Sequence, residues 1–212
     1  MNLLQRIDPG NAAVVVVDVQ NDFCHPEGLH GAAGKDLSGI ERAAARLEAF
    51  LPAARGAGIP VVFLRNGHSP GSDTPEWLAR HATPARAQTC QVGSWGARFY
   101  RVAPTGEDVV VDKHRYSGFT GTSLEGALAG LGRRSLLICG VASNSCVEST
   151  LRDAVCRDYL ATMVEDCCGA YSAEAHQRAV AAVSEGFGLV STSTEIARLW
   201  SARTGAGVPP AS

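Results

Sequence analysis

The 212-residue chain carries 19 lysines and arginines against 21 aspartates and glutamates, and its net charge of −2 provides neither a basic stripe for nucleic acid nor a polybasic patch for a membrane surface. Its seven cysteines include no Cys-x-x-Cys pair and no zinc-type spacing, which argues against a disulfide framework and a structural metal site. Because there is no 18-residue apolar run and no secretion signal, we expect a cytoplasmic protein with one domain over residues 1–204 and a disordered tail over 205–212.

Six short apolar runs, most of them rich in β-branched residues, predict strands. They span residues 13–17, 60–64, 108–112, 135–138, 160–164 and 188–191. Because the runs are continuously apolar rather than alternating, we expect both faces of each strand to be buried, as in a parallel sheet. Helical patterns separate most of the strands, which predicts right-handed crossovers and a three-layer, doubly wound α/β fold.

Capping signals mark where the predicted helices begin. These signals are two capping boxes, Ser38 with Glu41 and Thr122 with Glu125, and a single capping serine, Ser172. A last short helix is predicted over residues 195–200. The long irregular stretch 66–107 is rich in Gly, Pro, Trp and His, and we interpret it as a lid or substrate loop.

Cys146 follows the fourth predicted strand and a short turn, at the point where a helical pattern restarts. Unpaired amides and the positive end of a helix dipole favour the thiolate there, so we expect a lowered thiol pKa and a nucleophile. Burial as a small packing residue is the plain alternative for any free cysteine.

Asp18 and Lys113 also follow predicted strands directly, and in doubly wound sheets ligands bind beyond these strand ends. A partly desolvated carboxylate such as that of Asp18 can accept a thiol proton. The ammonium of Lys113 would favour the thiolate of Cys146 and then stabilise the charge of a tetrahedral intermediate.

Three pieces of the chain carry a resemblance to a known family: Val-Asp-Val-Gln-Asn-Asp-Phe at 17–23, the lysine after the third strand, and Gly-Val-Ala-Ser-Asn-Ser-Cys-Val-Glu at 140–148. In this order and spacing they resemble the isochorismatase-like cysteine hydrolases, over about residues 12–195. The resemblance implies a three-layer α/β/α sandwich around a six-stranded, mostly parallel sheet, with a catalytic triad of Asp18, Lys113 and Cys146.

The same resemblance implies a cis peptide bond between Val141 and Ala142. The amides of Ala142 and Cys146 would then form an oxyanion hole for the developing charge. A homo-oligomer, either a dimer or a tetramer, is a further expectation from the family.

Two branches of the family fit poorly. Isochorismatases proper have another residue at the nucleophile position, where this chain has Cys146. Nicotinamidases bind a metal through an Asp-x-His and a further His after the second strand, whereas the matching stretch here offers only His68, which we interpret as a solvated loop residue. We therefore predict no metal and no cofactor.

The closer resemblance is to amidohydrolases that act on ureidoacrylate, biuret and N-carbamoyl amino acids. It rests on Asn66-Gly67, Gly93-Ser94-Trp95, the run from Lys113 to Phe119 and the run from Cys146 to Ala154. We expect substrate-binding polar groups and aromatic walls from Phe23, Asn66, Trp95, Tyr116 and Ser117. For Arg115, pairing with an internal acid such as Glu148 is the preferred interpretation, and a clamp on a substrate carboxylate is the alternative.

We therefore expect a cysteine-dependent amidohydrolase that cleaves the C–N bond of a small linear amide or ureido compound through a thioester intermediate. A metal-free hydrolase of lactams, cyclic amides or other natural products would use the same triad. From another class, the alternative is a non-catalytic thiol sensor or binding module on the same sheet.

Overall fold

The computed structural model describes residues 1–79 and 89–205 of the chain. The tail predicted over 205–212 lies outside the described residues, apart from Gly205 at the end of the last helix. No helix in these two ranges is long and apolar enough to cross a membrane.

The described elements alternate between strands and helices along most of the chain. In order they are α1 (Leu3–Arg6), β1 (Ala12–Val17), α2 (Asn21–Cys24), α3 (Leu29–Ala32), α4 (Ser38–Gly56), β2 (Val61–Asn66), α5 (Pro75–Ala79), β3 (Val109–Lys113), α6 (Leu124–Gly130), β4 (Ser135–Val141), a π-helical turn (Ser143–Val147), α7 (Glu148–Val155), β5 (Leu160–Gly169), α8 (Ala173–Gly186), β6 (Leu189–Ser191) and α9 (Ser193–Gly205). Each of the six predicted strands is present, and most extend one to five residues beyond the prediction at their carboxyl ends.

The six described strands form one sheet in the order β3-β2-β1-β4-β5-β6, and every neighbouring pair is parallel. Every residue of β1 and β4 is buried, so helices cover both faces of the sheet at its centre. The predicted three-layer, doubly wound fold is therefore confirmed. Successive strands are added on one side of β1 as far as β3 and on its other side from β4, so the strand order reverses between β1 and β4, which is where sheets of this kind bind ligands.

The two predicted capping boxes are wrong. Helix α4 begins at Ser38 itself, whose amide donates to the Asp36 carboxylate, while the Glu41 side chain accepts a hydrogen bond from the Tyr100 hydroxyl. Glu41 is therefore committed to a tertiary contact and cannot reach back to the helix start. The capping role of Ser172 is confirmed, because its hydroxyl accepts from the Ala175 amide.

At the second predicted box, α6 begins at Leu124, one residue later than a Thr122 cap would require. The Thr122 hydroxyl accepts from the Leu124 amide and donates to the Gly118 carbonyl. Thr122 therefore stabilises the turn that leads into the helix without forming the reciprocal pair with Glu125.

Candidate active site

Asp18, Lys113 and Cys146 meet at the carboxyl ends of three strands. Asp18 follows β1 directly, Lys113 is the last residue of β3, and Cys146 lies in the π-helical turn after β4. Strand β2 separates β1 from β3, but the long lysine side chain crosses it, and the Lys113 Nζ lies 2.7 Å from the Asp18 Oδ2. Both charged side chains are essentially fully buried, so this is a desolvated ion pair.

Burial and the ion pair act in opposite directions on Asp18. Burial raises the pKa of the Asp18 carboxyl, and the Lys113 ammonium and the Cys146 thiol lower it only in part. Burial also lowers the pKa of Lys113, but the charges of Asp18 and Cys146 outweigh it, so the net pKa is raised. The site therefore holds a permanent ammonium beside a carboxylate with increased proton affinity.

The expectation of a lowered Cys146 pKa is wrong. Burial, together with the neighbouring Asp18 charge, raises the pKa of the thiol to about 12 against the opposing effect of Lys113. Cys146 also lies within the π-helical turn that leads into α7, rather than at the first residue of an α-helix. The resting thiol is protonated at neutral pH, and attack on a carbonyl requires a base beside it.

The backbone around the nucleophile is held in one conformation. The Val141–Ala142 peptide bond is cis, as the resemblance implies. The Ala142 carbonyl accepts hydrogen bonds from the Ser145 and Val147 amides, and the Ser143 hydroxyl lies 2.8 Å from the His176 Nδ1 on α8. These contacts anchor both ends of the turn that presents Cys146.

A cavity of about 310 Å³ opens onto this turn. Its lining combines the nucleophile turn with the loops after β1, β2, β3 and β5. It consists of Phe23, His30, Lys35, Asn66, His68, Trp77, Thr89, Arg115, Tyr116, Val141, Ala142, Asn144, Ser145, Cys146 and Tyr171. Asp18 and Lys113 do not line it and stand behind its wall, in contact with Cys146.

Asn66 lines the cavity and carries a buried amide oxygen. The Gln20 side chain binds both the amide and the carbonyl of Asn66 at 2.8 Å, which fixes its backbone. The Asn66 side chain is about nine-tenths buried, and its Oδ1 has no hydrogen-bond partner within the described residues. Because buried polar atoms are rarely left unsatisfied, this oxygen points to an N–H donor on a ligand.

The structure places three predicted substrate-binding residues in the cavity wall and two elsewhere. Phe23, Asn66 and Tyr116 line the cavity. Trp95 does not, because it is 43% exposed and its ring packs edge-on against His25. Ser117 is buried away from the lining, and its hydroxyl accepts from the Phe119 amide.

The two interpretations made for His68 and Arg115 are wrong. His68 is only 6% exposed, lines the cavity and lies 2.6 Å from the Asp73 carboxylate. Glu148 is engaged by Arg152 four residues later, and so it is not the partner of Arg115. The Arg115 guanidinium instead lies over the Trp77 ring at 4.5 Å and lines the cavity.

Several other residues that line the cavity are not predicted from the sequence. Tyr171 lies two residues beyond β5, so the rule that ligands bind past strand ends could have found it. His30 and Lys35 come from the segment between α2 and α4, where no local pattern marks them. In the structure the His30 ring stacks on Tyr171, and the Lys35 ammonium lies 5.7 Å from the centre of the same ring.

The charges around the cavity favour an anionic ligand. Lys35 and Arg115 both line it, and among the described lining residues there is no aspartate or glutamate. No group of three or more His, Cys, Asp or Glu side chains in the described ranges is arranged to hold a metal ion.

The chain is similar to known proteins over most of its length. The Isochorismatase domain model matches residues 12–195. A ureidoacrylate amidohydrolase RutB of Methylobacterium radiotolerans is 37% identical over 200 residues, which cover 87% of this chain and 78% of that protein. The RutB of Azorhizobium caulinodans is 35% identical and covers 93% and 92% of the two chains.

Solved structures show the same likeness. A cysteine hydrolase from Pseudomonas syringae pv. phaseolicola superimposes with a TM-score of 0.83 at 29% identity, over 92% of this chain and 94% of that one. The N-carbamoylsarcosine amidase from Thermoplasma acidophilum superimposes with a TM-score of 0.70 at 27% identity, over 86% and 96%.

Proposed function

The chain belongs to the isochorismatase domain family and is an amidohydrolase of that family, and we propose that it cleaves a small ureido or amide acid through a thioester on Cys146. The observation that carries the proposal is the contact of Cys146 with the buried pair of Asp18 and Lys113 beside the cavity. A protonated thiol, an adjacent carboxylate of raised pKa and a fixed ammonium are the parts that nucleophilic attack on a carbonyl requires.

In the first half of the reaction, Asp18 takes the thiol proton as the Cys146 sulfur attacks the carbonyl carbon. The amides of Ala142 and Cys146 bind the developing oxyanion. The C–N bond breaks, and Asp18 returns the proton to the nitrogen, which leaves as ammonia or an amine. The ammonium of Lys113 keeps the Asp18 carboxylate available in the buried site and stabilises negative charge on sulfur.

In the second half, water attacks the thioester carbonyl, the C–S bond breaks, and Cys146 regains its proton. The products are a carboxylic or carbamic acid and the resting enzyme.

Two features of the cavity support a substrate class. The free Oδ1 of Asn66 is an acceptor for an amide or ureido N–H, whereas Arg115 and Lys35 provide cations for a carboxylate at the other end. The relatives named for ureidoacrylate and N-carbamoylsarcosine fit this pattern of a ureido or carbamoyl group joined to an acid. We therefore propose a linear ureido acid or N-carbamoyl amino acid as the substrate.

The experiment is an ammonia- and amine-release assay over a panel of linear ureido acids, neutral ureas and cyclic amides. We expect the wild type to prefer linear acids and Cys146→Ala to lose at least about 10³-fold in kcat/KM. Cys156→Ala is the control, because Cys156 is an exposed cysteine away from the cavity. Turnover of the best substrate by Cys146→Ala at the wild-type rate would contradict the mechanism, and a preference for cyclic amides would contradict the substrate class.

A further inference from the structure

We propose that His68 and Asp73 form a second proton-transfer pair in this cavity, in which His68 is the general base that activates the water for thioester hydrolysis. The inference rests on the proposed function, because it assigns the second half of that reaction to a residue outside the triad. His68 is a cavity residue with a carboxylate on one ring nitrogen, and the steps of the first half do not use it.

The position of His68 is fixed by its backbone. The His68 amide donates to the Cys90 carbonyl, and the His68 carbonyl accepts from the Val92 amide, both at 3.0 Å. These bonds join the loop after β2 to the segment around Cys90 and Val92. They fix the backbone of His68, whose side chain is nearly completely buried.

The ring is fixed as well. Its Nδ1 lies 2.6 Å from the Asp73 Oδ1, and its face is stacked on Trp77 with ring centres 6.0 Å apart. Asp73 is in turn held by a tight turn, since its amide donates to the Ser69 carbonyl at 3.1 Å. Both members of the pair are about nine-tenths buried, so the contact is not an exposed pair weakened by solvent.

This arrangement determines which nitrogen of His68 can act as a base. A carboxylate on Nδ1 accepts the N–H of that nitrogen and leaves the lone pair on Nε2, as in hydrolases where an aspartate fixes the histidine tautomer. Asp73 would also stabilise the imidazolium once Nε2 has taken a proton.

The water that attacks the thioester stands in the cavity, and His68 lines that cavity with a ring that the first half of the reaction does not use. Asp18 is fully buried, does not line the cavity and is paired with Lys113. His68 is near enough to lower the pKa of Asp18 electrostatically, so the two groups share one site.

Nε2 of His68 takes one proton from water while the water oxygen bonds to the thioester carbonyl carbon. The C–S bond breaks, and its electron pair leaves with the Cys146 sulfur as a thiolate. The imidazolium proton then passes to the thiolate, which restores the protonated thiol and the neutral imidazole.

The test separates the two half-reactions in His68→Gln with the best substrate from the panel, using rapid quench and intact-protein mass. We expect one equivalent of ammonia or amine to be released per enzyme at close to the wild-type rate, followed by turnover at least about 10²-fold slower. An adduct should accumulate on Cys146, and hydroxylamine, a strong nucleophile that needs no base, should discharge it and restore release.

Asp73→Asn provides a second variant that keeps the ring in place, and it should accumulate the same adduct to a smaller extent. His25→Gln is the matched control, because His25 lies outside the cavity against Trp95. If the rate of the first amine release and the rate of turnover fall equally, and no adduct forms in either variant, the proposed role of His68 is overturned. A wild type that releases no amine from any compound would instead contradict the proposed function itself.

Discussion

At Asp18 the backbone and the electrostatics are both unusual. Its φ of +51° is in the left-handed region that non-glycine residues seldom adopt, and its carboxylate is buried against one ammonium. Such conformations persist where the surrounding structure enforces them, often at functional sites. Burial raises the pKa of this carboxyl, and Lys113 is the main group that limits the rise.

The first prediction concerns the pH dependence set by Lys113. Only the carboxylate form of Asp18 can accept the thiol proton, so kcat/KM should rise with pH through the pKa of Asp18. Lys113→Met removes the charge that lowers this pKa, so the acid limb of the profile should move to higher pH. Arg65→Met, which breaks the exposed pair with Asp112, is the control and should leave the limb in place. A shift to lower pH in Lys113→Met would refute this role.

The second prediction concerns Arg115. Because a charge-assisted hydrogen bond contributes about 1.5–3 kcal/mol, Arg115→Gln should raise KM for an acidic substrate by about 10- to 150-fold. It should leave KM for a neutral urea nearly unchanged, since that compound has no carboxylate to lose a partner. Arg178→Gln, at an exposed surface pair with Glu174, is the matched control. An equal increase in KM for acidic and neutral substrates would show that Arg115 does not bind the substrate carboxylate.

For single residues, the sequence predicts the site residues at strand ends better than it predicts those in loops. Asp18 and Lys113 are predictable because they follow apolar runs directly, and parallel strands bring their ends together. Trp95 and His68 were misjudged because burial in a long loop depends on tertiary contacts such as those with His25 and Asp73. No local pattern encodes those contacts.

At the scale of elements, the contact between β1 and β4 positions the candidate active site. Gly140 has φ +113°, and a Cβ built there would lie 2.1 Å from the Val17 carbonyl oxygen of the neighbouring strand. Only glycine allows the two strands to approach so closely at the point where Asp18 and the nucleophile turn emerge.

The third prediction follows from this contact. Gly140→Ala should lower the free energy of unfolding by about 3 kcal/mol or more, because the clash is with backbone and cannot be relieved by a side-chain rotation. Gly126→Ala is the control, since nothing lies within 4 Å of its added Cβ, and it should raise stability by about 0.5–1 kcal/mol as a helix substitution. Urea unfolding of both variants measures the difference. Equal stabilities would show that β1 and β4 are not so tightly joined.

The strands were predictable because a sheet buried on both faces needs continuous apolar runs, and β1 is an example with all six residues buried. The helix starts predicted from caps at Ser38 and Thr122 each differ by one residue from the observed starts. Their capping partners, Glu41 and Glu125, looked available in the sequence, but Glu41 is taken by Tyr100 and Arg101. The end of a helix therefore depends on residues far away in the sequence that bind the capping side chains, and residue spacing alone does not reveal them.

For the whole molecule, the last helix ties the two ends of the described chain together. Trp200 on α9 stacks on Phe50 of α4 with ring centres 5.5 Å apart, and its indole N–H donates to the Ile7 carbonyl at 2.9 Å. Contacts between such distant parts of the sequence favour cooperative unfolding, which is the behaviour we expect of the single domain predicted over residues 1–204.

The fourth prediction tests the contacts that Trp200 makes with Phe50 and Ile7. Trp200→Ala should cost about 3–5 kcal/mol of unfolding free energy, because it removes a large buried aromatic group. Trp95→Ala, at a partly exposed tryptophan outside the cavity, should cost less than about 1 kcal/mol and leave KM unchanged. Unfolding followed by circular dichroism and by fluorescence should give coincident transitions. Separate transitions would show that α9 and its neighbours fold independently of the sheet.

The central claim is that Cys146 is the covalent nucleophile, and peptide mass mapping of enzyme quenched during turnover tests it most directly. We predict a substrate-derived adduct on the peptide containing Cys146 and none on the exposed Cys156, with no adduct and no turnover in Cys146→Ala. Undiminished turnover in Cys146→Ala, or an adduct confined to another cysteine, would contradict the account.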